Sequence, residues 1–190
     1  MLKRCDWVPV HDALYVRYHD EEWGVPVHED RKLFEFLVLE TFQAGLSWRT
    51  VLYKRENFRR AFENFIPEVV ARYDAVKINS LCNDPGIIRN RLKINAAVEN
   101  ARAFLKIQHE FGSFDKYIWN YTNGRPVQNT FRKLSEIPST TPLSDKISKD
   151  LRMRGFKFVG STVCYAHMQA TGMVNDHLID CFRYQQVSDV

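Results

Sequence analysis

The sequence predicts an all-α protein. Three long segments, residues 30–48, 90–108 and 142–154, repeat apolar side chains every three or four positions, which is the period of a helix with one buried face. Alternating patterns that would indicate strands are absent or very short. With 190 residues, 45% of them apolar, the chain can form one packed domain or two small interlocked lobes, and it contains no internal repeat.

The segment 30–48 begins with Asp30, a residue type that favours helix N-caps. Leu33, Phe36 and Leu37 follow at helical spacing. We therefore expect one helix that starts at Asp30 and continues to residue 48.

The later helical segments are also bounded by clear signals. In the segment 142–154, Thr141 precedes a first-turn Pro142, and Gly155 stops the helix. The segment 90–108 has an apolar face made of Ile94, Ala97, Val98, Ala101, Phe104 and Leu105. Residues 123–141 predict the longest loop, in which the pair Asn123-Gly124 closes a small hairpin or a simple turn.

Charge and composition exclude few functions. The formal charge is +4, from 27 Lys and Arg against 23 Asp and Glu, which permits nucleic-acid binding without requiring it. No apolar signal core follows the first residues, and no stretch approaches the roughly 18 apolar residues of a membrane span. We expect a cytoplasmic protein that does not bind membranes and keeps its cysteines reduced.

Two cysteines and two histidines at the ends of the chain are candidate metal ligands: Cys5, His19, His177 and Cys181. On a helix, the i, i+4 spacing of His177 and Cys181 turns both side chains to the same face. Two thiolates with two imidazoles suit tetrahedral zinc, in a closed site that would tie the termini together. The alternative is that the cysteines are small buried apolar residues.

Glu40 occupies a position where the pattern of the segment 30–48 predicts another apolar residue. A carboxylate there is either partly buried and in need of partners, or a solvated residue at the edge of the stripe. Aromatic residues surround this segment in the sequence: Trp7, Tyr18, Trp23, Phe42 and Trp48. An acid among aromatic faces suits a flat, cationic ligand, although such a cluster is also common in ordinary cores.

Residues 74–108 predict a helix, a short turn at residues 84–90 and a second helix. Gly86 would let the backbone approach a phosphate, and the amides that open the second helix, with Arg89 and Lys93, would supply positive charge. The alternative is an ordinary connection between helices. A second basic run, with the same two interpretations, comprises Lys149, Arg152, Arg154 and Lys157.

Taken together, these segments resemble the 3-methyladenine DNA glycosylase I family of the helix-hairpin-helix superfamily. The matching stretches occur in family order over nearly the whole chain: residues 4–7, 18–26, 39–40, 43–48, 54–56, 86–89, 154–160 and 175–177, with Cys181. Phe42, where some members have a polar residue, and Pro85 before the hairpin glycine depart from the pattern.

The resemblance implies a role for each candidate residue. Cys5, His19, His177 and Cys181 match the ligands of one structural Zn²⁺ per chain. Glu40 matches the acidic residue that reads the damaged base and is the candidate catalytic group. The pocket aromatics correspond to Tyr18, Trp48 and Trp7. Leu46 matches the side chain that fills the gap left by a flipped nucleotide. The DNA-binding hairpin corresponds to Gly86, Ile87, Arg89 and Lys93.

The implied fold is a helix-hairpin-helix glycosylase fold in which residues 1–190 form one unit. A central lobe at about 30–140 would carry the hairpin, and the segments at about 1–29 and 141–190 would be joined by zinc. The implied enzyme is a monomeric, monofunctional glycosylase that excises 3-methyladenine from double-stranded DNA in base excision repair, releases the free base and has no lyase activity.

Two other classes of function remain open at this point. The pairs His19-Asp20 and Asp176-His177 would suit a metal hydrolase, although two thiolate ligands argue against an open catalytic site. A catalytically silent DNA-binding module would have no need of Glu40 among aromatic residues. Asp115 is the nearest aspartate downstream of the hairpin and lies in no recognisable catalytic motif.

Overall fold

The segments with helical apolar periodicity form helices in the computed structural model, which describes residues 2–188. Ten α-helices span these residues: α1 Ala13–Glu21, α2 Asp30–Gln43, α3 Trp48–Ala61, α4 Pro67–Val70, α5 Ala75–Asn83, α6 Arg91–Phe111, α7 Phe114–Trp119, α8 Pro142–Met153, α9 Ser161–Ala170 and α10 Phe182–Ser188. Short 3₁₀ turns join some of them, at Glu63–Phe65, Asn120–Thr122 and Leu134–Glu136. The all-α prediction is confirmed at the level of a mostly helical fold.

Helix α2 lies at the centre of the protein. Every residue from Leu33 to Phe42 is buried, and the helix packs against α3, α6, α7 and α9. A helix that is enclosed on all sides must place its polar side chains in the interior as well. Any carboxylate on α2 therefore needs a partner or a cavity.

Helix α2 begins at Asp30 as predicted, but the predicted N-cap role of Asp30 is wrong, because Glu29 occupies the N-cap position and makes no side-chain capping bond. The Asp30 carboxylate instead accepts hydrogen bonds from the backbone amides of Phe114 and Asp115, at the start of α7. It stabilises the N-terminus of a different helix, to which tertiary packing brings it.

The predicted single helix over residues 30–48 is also wrong. Helix α2 ends at Gln43, and Gly45 has a φ of +81°, a left-handed conformation that glycine adopts without strain. Ser47 then caps α3, its hydroxyl accepting from the Thr50 amide at 3.3 Å. The chain therefore turns between two helices at residues 44–47.

The remaining sequence signals are reproduced, with one difference. Thr141 caps α8, and Gly155 follows its end with a φ of +95°. Asn123-Gly124 forms a turn but closes no hairpin, because β1 (Val127–Gln128) pairs in parallel with β2 (Val174–Asn175), far along the chain. Among residues 2–188, no helix combines the length and the apolar character needed to cross a membrane.

Candidate active site and metal cluster

A cavity of about 390 Å³ lies beside the C-terminal end of α2. Its volume is within the range of about 300–1,000 Å³ that is typical of small-molecule sites. Side chains from α1, α2, α3, α9 and three connecting segments line it: Trp7, Tyr15, Tyr18, Trp23, Glu40, Gln43, Trp48, Leu134, Ile137, Ala166 and Gln169. Four of the predicted site residues, Glu40, Tyr18, Trp48 and Trp7, thus meet at one cavity.

Glu40 is the acidic group of this cavity and is only 3% exposed. Burial raises the pKa of its carboxyl to about 8. The described residues form no hydrogen bond or ion pair with its side chain, whereas the other buried acid of α2, Glu35, bonds Arg55 and Arg59. The structure excludes a solvated edge position for Glu40 and leaves its oxygens available to a ligand.

Aromatic rings form much of the cavity wall. The ring centroids of Tyr18 and Trp48 lie 5.2 Å apart, and those of Trp7 and Trp23 lie 5.0 Å apart in an edge-to-face arrangement. Trp48 Nε1 is enclosed, and among the described residues it has no hydrogen-bond partner. A flat base can contact π faces here and hydrogen-bond a carboxylate in the same space.

Sequence spacing missed several cavity residues. Tyr15 precedes Tyr18 by three positions on α1, so a helical wheel could have added it, whereas Trp23 already belonged to the aromatic cluster named from the sequence. Leu134 and Ile137 lie in the predicted loop 123–141 and carry no such signal. Other cavity residues without a sequence signal are Gln43, Ala166 and Gln169.

Phe42 does not line the cavity. It is fully buried, and its ring contacts Phe58 edge-to-face at 4.8 Å between centroids. The departure from the family pattern at this position therefore changes core packing on the opposite side of α2.

The four candidate metal ligands are buried together, and their ligand atoms all lie within 4.8 Å of one another. Cys5 Sγ lies 3.5 Å from His177 Nδ1, and Cys181 Sγ lies 3.5 Å from His19 Nε2 and 3.6 Å from His177 Nδ1. Zn–S and Zn–N bonds of about 2.3 and 2.0–2.1 Å at a tetrahedral angle require a sulfur–nitrogen separation of about 3.6 Å. The donor set and its spacing fit a tetrahedral metal ion.

The surroundings of the cluster orient its ligands. The outer nitrogen of His19, Nδ1, bonds the Asp20 carboxylate at 2.7 Å, and Nε2 of His177 bonds the carbonyl of Trp23 at 3.0 Å. Such outer bonds fix the imidazole tautomer that faces a metal. A hydrogen bond from the Cys5 thiol lowers the pKa of Cys181, which favours the thiolate that metals bind.

The cluster brings the two ends of the described chain together. The Phe182 amide donates to the carbonyl of Lys3 at 2.9 Å, and the Lys3 ammonium pairs with Asp180. Arg4 binds Asp20 through both carboxylate oxygens. The first and last segments are therefore packed as one substructure around the cluster.

The predicted hairpin is present as α5, a turn and α6, but its expected phosphate ligands are mostly engaged. The Gly86 amide donates to Asp84 Oδ1 at 2.7 Å, and the Ile87 side chain is buried. The Asn90 side chain accepts from the amides at positions 92 and 93, the second and third of α6. Arg89 is exposed and carries its charge at the surface.

The interpretation of Lys93 as a phosphate ligand is corrected by the structure. Lys93 is only 6% exposed, and its ammonium donates to the carbonyls of Phe42 at 2.9 Å and Ala44 at 2.5 Å. A cation at a helix C-terminus satisfies carbonyls that have no intrahelical partner. Lys93 therefore links the end of α2 to the start of α6 by hydrogen bonds, and its ammonium is not available to DNA.

Leu46 lies in the turn between α2 and α3 and is 42% exposed. Gln43 and Trp48, which flank it in sequence, line the cavity, so Leu46 stands close to the cavity mouth. The second basic run is partly engaged, because Arg154 pairs with Asp150 and Glu110.

Comparison with known proteins agrees with the family that the sequence motifs resemble. A family model described as methyladenine glycosylase matches residues 7–184. DNA-3-methyladenine glycosylase 1 of Escherichia coli (strain K12) is 49% identical over 183 residues, which cover 96% of this chain and 97% of that protein.

Solved structures agree in fold. A crystal structure of 3-methyladenine DNA glycosylase I matches with a TM-score of 0.92 and 49% identity, covering 95% of this chain and 98% of that one. A Tyr-to-Phe variant of 3-methyladenine DNA glycosylase I, in complex with 3-methyladenine, matches with a TM-score of 0.88 and 38% identity, covering 90% and 92%.

These matches assign the helical protein with its aromatic cavity to the DNA glycosylases, a class of hydrolytic enzymes. Within that class, the chain belongs to the methyladenine glycosylase family, and the resemblance of its motifs is thereby confirmed.

Proposed function

We propose that this protein flips 3-methyladenine out of double-stranded DNA and excises it by hydrolysis in base excision repair. The observation that carries the proposal is a buried carboxyl, Glu40, without a protein partner in an aromatic cavity. The complex of a similar glycosylase with 3-methyladenine supports the choice of base.

The chemistry follows from the charge of the damaged base. Adenine methylated at N3 is cationic while attached to its sugar, so its glycosidic bond is already weak and the enzyme needs mainly to extract and hold it. A cation beside Glu40 favours the carboxylate and drives off its proton. The ionised carboxylate and the rings of Tyr18, Trp48 and Trp7 then stabilise the cation more than they would neutral adenine, which gives selectivity by differential binding.

We propose a monofunctional enzyme without lyase activity. A lyase needs an amine nucleophile that forms a Schiff base, and among residues 2–188 no lysine lines the cavity. Asp115 is an unsuitable helper, because its carboxylate is paired with His28 at 2.7 Å and it does not line the cavity. Water therefore attacks the sugar as the bond to the cationic base breaks.

For DNA binding, we propose that Leu46 fills the gap left by the flipped nucleotide and that the hairpin contacts the backbone through Arg89 and main-chain groups near Gly86 and Ile87. The exposure of Leu46 beside the cavity and of Arg89 beside α6 supports these roles. The enzyme would act as a monomer in the cytoplasm.

We propose that the cluster of Cys5, His19, His177 and Cys181 binds one structural Zn²⁺. Its tetrahedral spacing and its two thiols suit zinc. Four buried protein ligands leave no position for a reactive water, which argues against a metal hydrolase. Zinc would then join the segments at about 1–29 and 141–190 beside a central lobe at about 30–140.

Incubation with methylated duplex DNA, followed by chromatography of the released bases, tests the proposal. Wild-type protein should release 3-methyladenine, and Glu40→Gln should release it more slowly with DNA affinity unchanged. Glu29→Gln, which alters an exposed carboxylate just before α2, is the matched control and should behave as wild type. Release of no base by the folded wild-type protein would leave a DNA-binding module as the better assignment.

A further inference from the structure

Gln169, near the C-terminal end of α9, lines the cavity and is held from behind by a buried carboxylate. Its Nε2 donates to Asp176 Oδ2 at 2.8 Å. We infer that Gln169 is a specificity-determining residue whose Oε1 accepts a hydrogen bond from the exocyclic amino group of the bound base, and that Asp176 fixes this polarity. The inference rests on the proposed function and assigns the recognition of the amino group within it.

The orientation of the Gln169 amide follows from hydrogen-bond chemistry. An amide offers a donor NH₂ on one side and an acceptor oxygen on the other, and an ionised carboxylate can only accept. Asp176 therefore requires the NH₂ of Gln169 to face it, which leaves Oε1 for the other side. Among the described residues, Oε1 receives no hydrogen bond, and it is not one of the enclosed atoms that lack a partner. Oε1 is therefore an unoccupied acceptor on a side chain that lines the cavity.

Asp176 is itself immobilised as an acceptor. It is 1% exposed and also accepts from the hydroxyl of Tyr165 and, through Oδ1, from Asn129 Nδ2 at 2.7 Å. With the Gln169 amide, three donors therefore surround the oxygens of this buried carboxylate. Rotation of the Gln169 amide would place its carbonyl against these acceptor oxygens and lose the hydrogen bond, so the polarity is maintained.

The consequence is a cavity with two acceptors, Glu40 and Gln169. The amino group of an adenine carries two N–H donors, whereas hypoxanthine and guanine have an acceptor oxygen at that position. Glu40 can become a donor when it holds a proton, but Gln169 cannot, because its NH₂ is committed to Asp176. Gln169 therefore disfavours bases with the acceptor oxygen whatever the protonation state of Glu40.

The test measures binding of two free bases, 3-methyladenine and 3-methylhypoxanthine, to wild type and to Gln169→Met. Methionine retains the length of the side chain but removes the acceptor. We expect the affinity for 3-methyladenine to fall about tenfold, as for the loss of one hydrogen bond to a buried polar group. The affinity for 3-methylhypoxanthine should be unchanged or higher, so the ratio of the two dissociation constants moves toward one.

Gln108→Met is the matched control, because Gln108 Nε2 also donates to a carboxylate, that of Asp30 at 2.6 Å, and does not line the cavity. It should change thermal stability but not the ratio. Asp176→Asn provides a second variant that keeps the glutamine. An amide at position 176 can donate a hydrogen bond to Oε1 of Gln169, so the Gln169 amide becomes free to rotate. The ratio of the two dissociation constants should therefore also move toward one. The metal content of this variant is measured, because residue 176 adjoins His177.

An unchanged ratio in folded Gln169→Met would overturn the inference, and so would an unchanged ratio in Asp176→Asn if the first variant does not fold. Failure of the proposed function has a different signature, since wild-type protein itself would then not bind 3-methyladenine.

Discussion

Replacement of Glu40 by glutamine should stabilise the empty protein while weakening its binding of the damaged base. In the folded protein, burial raises the pKa of Glu40 to about 8, whereas the ordinary pKa of an exposed glutamate is 4.5. Between these values the folded protein keeps the proton and the unfolded chain does not. Folding then takes up a proton, so raising the pH lowers the free energy of unfolding.

The magnitude follows from the width of this window. Each pH unit within it contributes about 1.4 kcal/mol, so between pH 5 and pH 8 wild type should lose about 4 kcal/mol relative to Glu40→Gln. Urea unfolding of both proteins at pH 5, 6.5 and 8 measures the difference. Other titrating groups, such as His167, whose pKa burial lowers to about 4, occur in both proteins and cancel.

Parallel pH profiles for the two proteins would refute the reasoning, because they would mean that Glu40 titrates alike in the folded and unfolded chain. A binding measurement gives the functional counterpart. Glu40→Gln should bind free 3-methyladenine about tenfold or more weakly, since it loses a charge-assisted hydrogen bond worth roughly 1.5–3 kcal/mol. Equal base affinity in the folded variant would exclude Glu40 as the acceptor.

Four further substitutions test the remaining assignments. Cys181→Ser should reduce bound zinc below about one per chain and lower the melting temperature, with base recognition in the folded fraction unchanged; metal analysis with a thermal melt checks this, and full metal retention would count against the site. Arg89→Gln should weaken binding to many DNA sequences alike and reduce the salt slope by about one, as titrations at several salt concentrations would reveal. Lys93→Met should instead lower stability by about 1–3 kcal/mol, because it leaves buried carbonyls at the end of α2 unpaired, and denaturant unfolding measures it; a loss of DNA affinity without loss of stability would restore the phosphate role. Trp48→Ala should weaken 3-methyladenine binding in calorimetry and lower stability, whereas equal base affinity would mean that its ring does not contact the base.

The DNA-binding hairpin illustrates how far a motif can be interpreted. The order of basic residues and Gly86 indicated a helix, a turn and a helix, and this arrangement is present as α5 and α6. The sequence alone could not show that Arg89 is exposed whereas Lys93 is buried against α2. Both are basic residues within one turn of helix, and only the packing of another helix against one of them distinguishes their roles.

The cavity, too, could be predicted from the sequence only in part. Glu40 was identifiable because an acid interrupts an apolar stripe, and the aromatic residues around it suggested a binding site. The expectation that one helix continues to residue 48, and so carries both Glu40 and Trp48, was wrong, because the chain turns at residues 44–47 and Trp48 begins α3. The two side chains reach one cavity because the turn brings α3 back beside α2.

The sequence by itself predicted the helical class, the Cys and His residues that form the buried cluster and the acid of the cavity, because these depend on residue types and on periodicity within a few turns. Tertiary structure alone decided which amides and cations remain free, that the loop residues Leu134 and Ile137 close the cavity, and that Asp176 orients Gln169. The physical reason is the separation along the chain between the residues that make each contact. Periodicity reports the environment of one helix, whereas a cavity and its polarity arise from contacts between segments that are tens of residues apart.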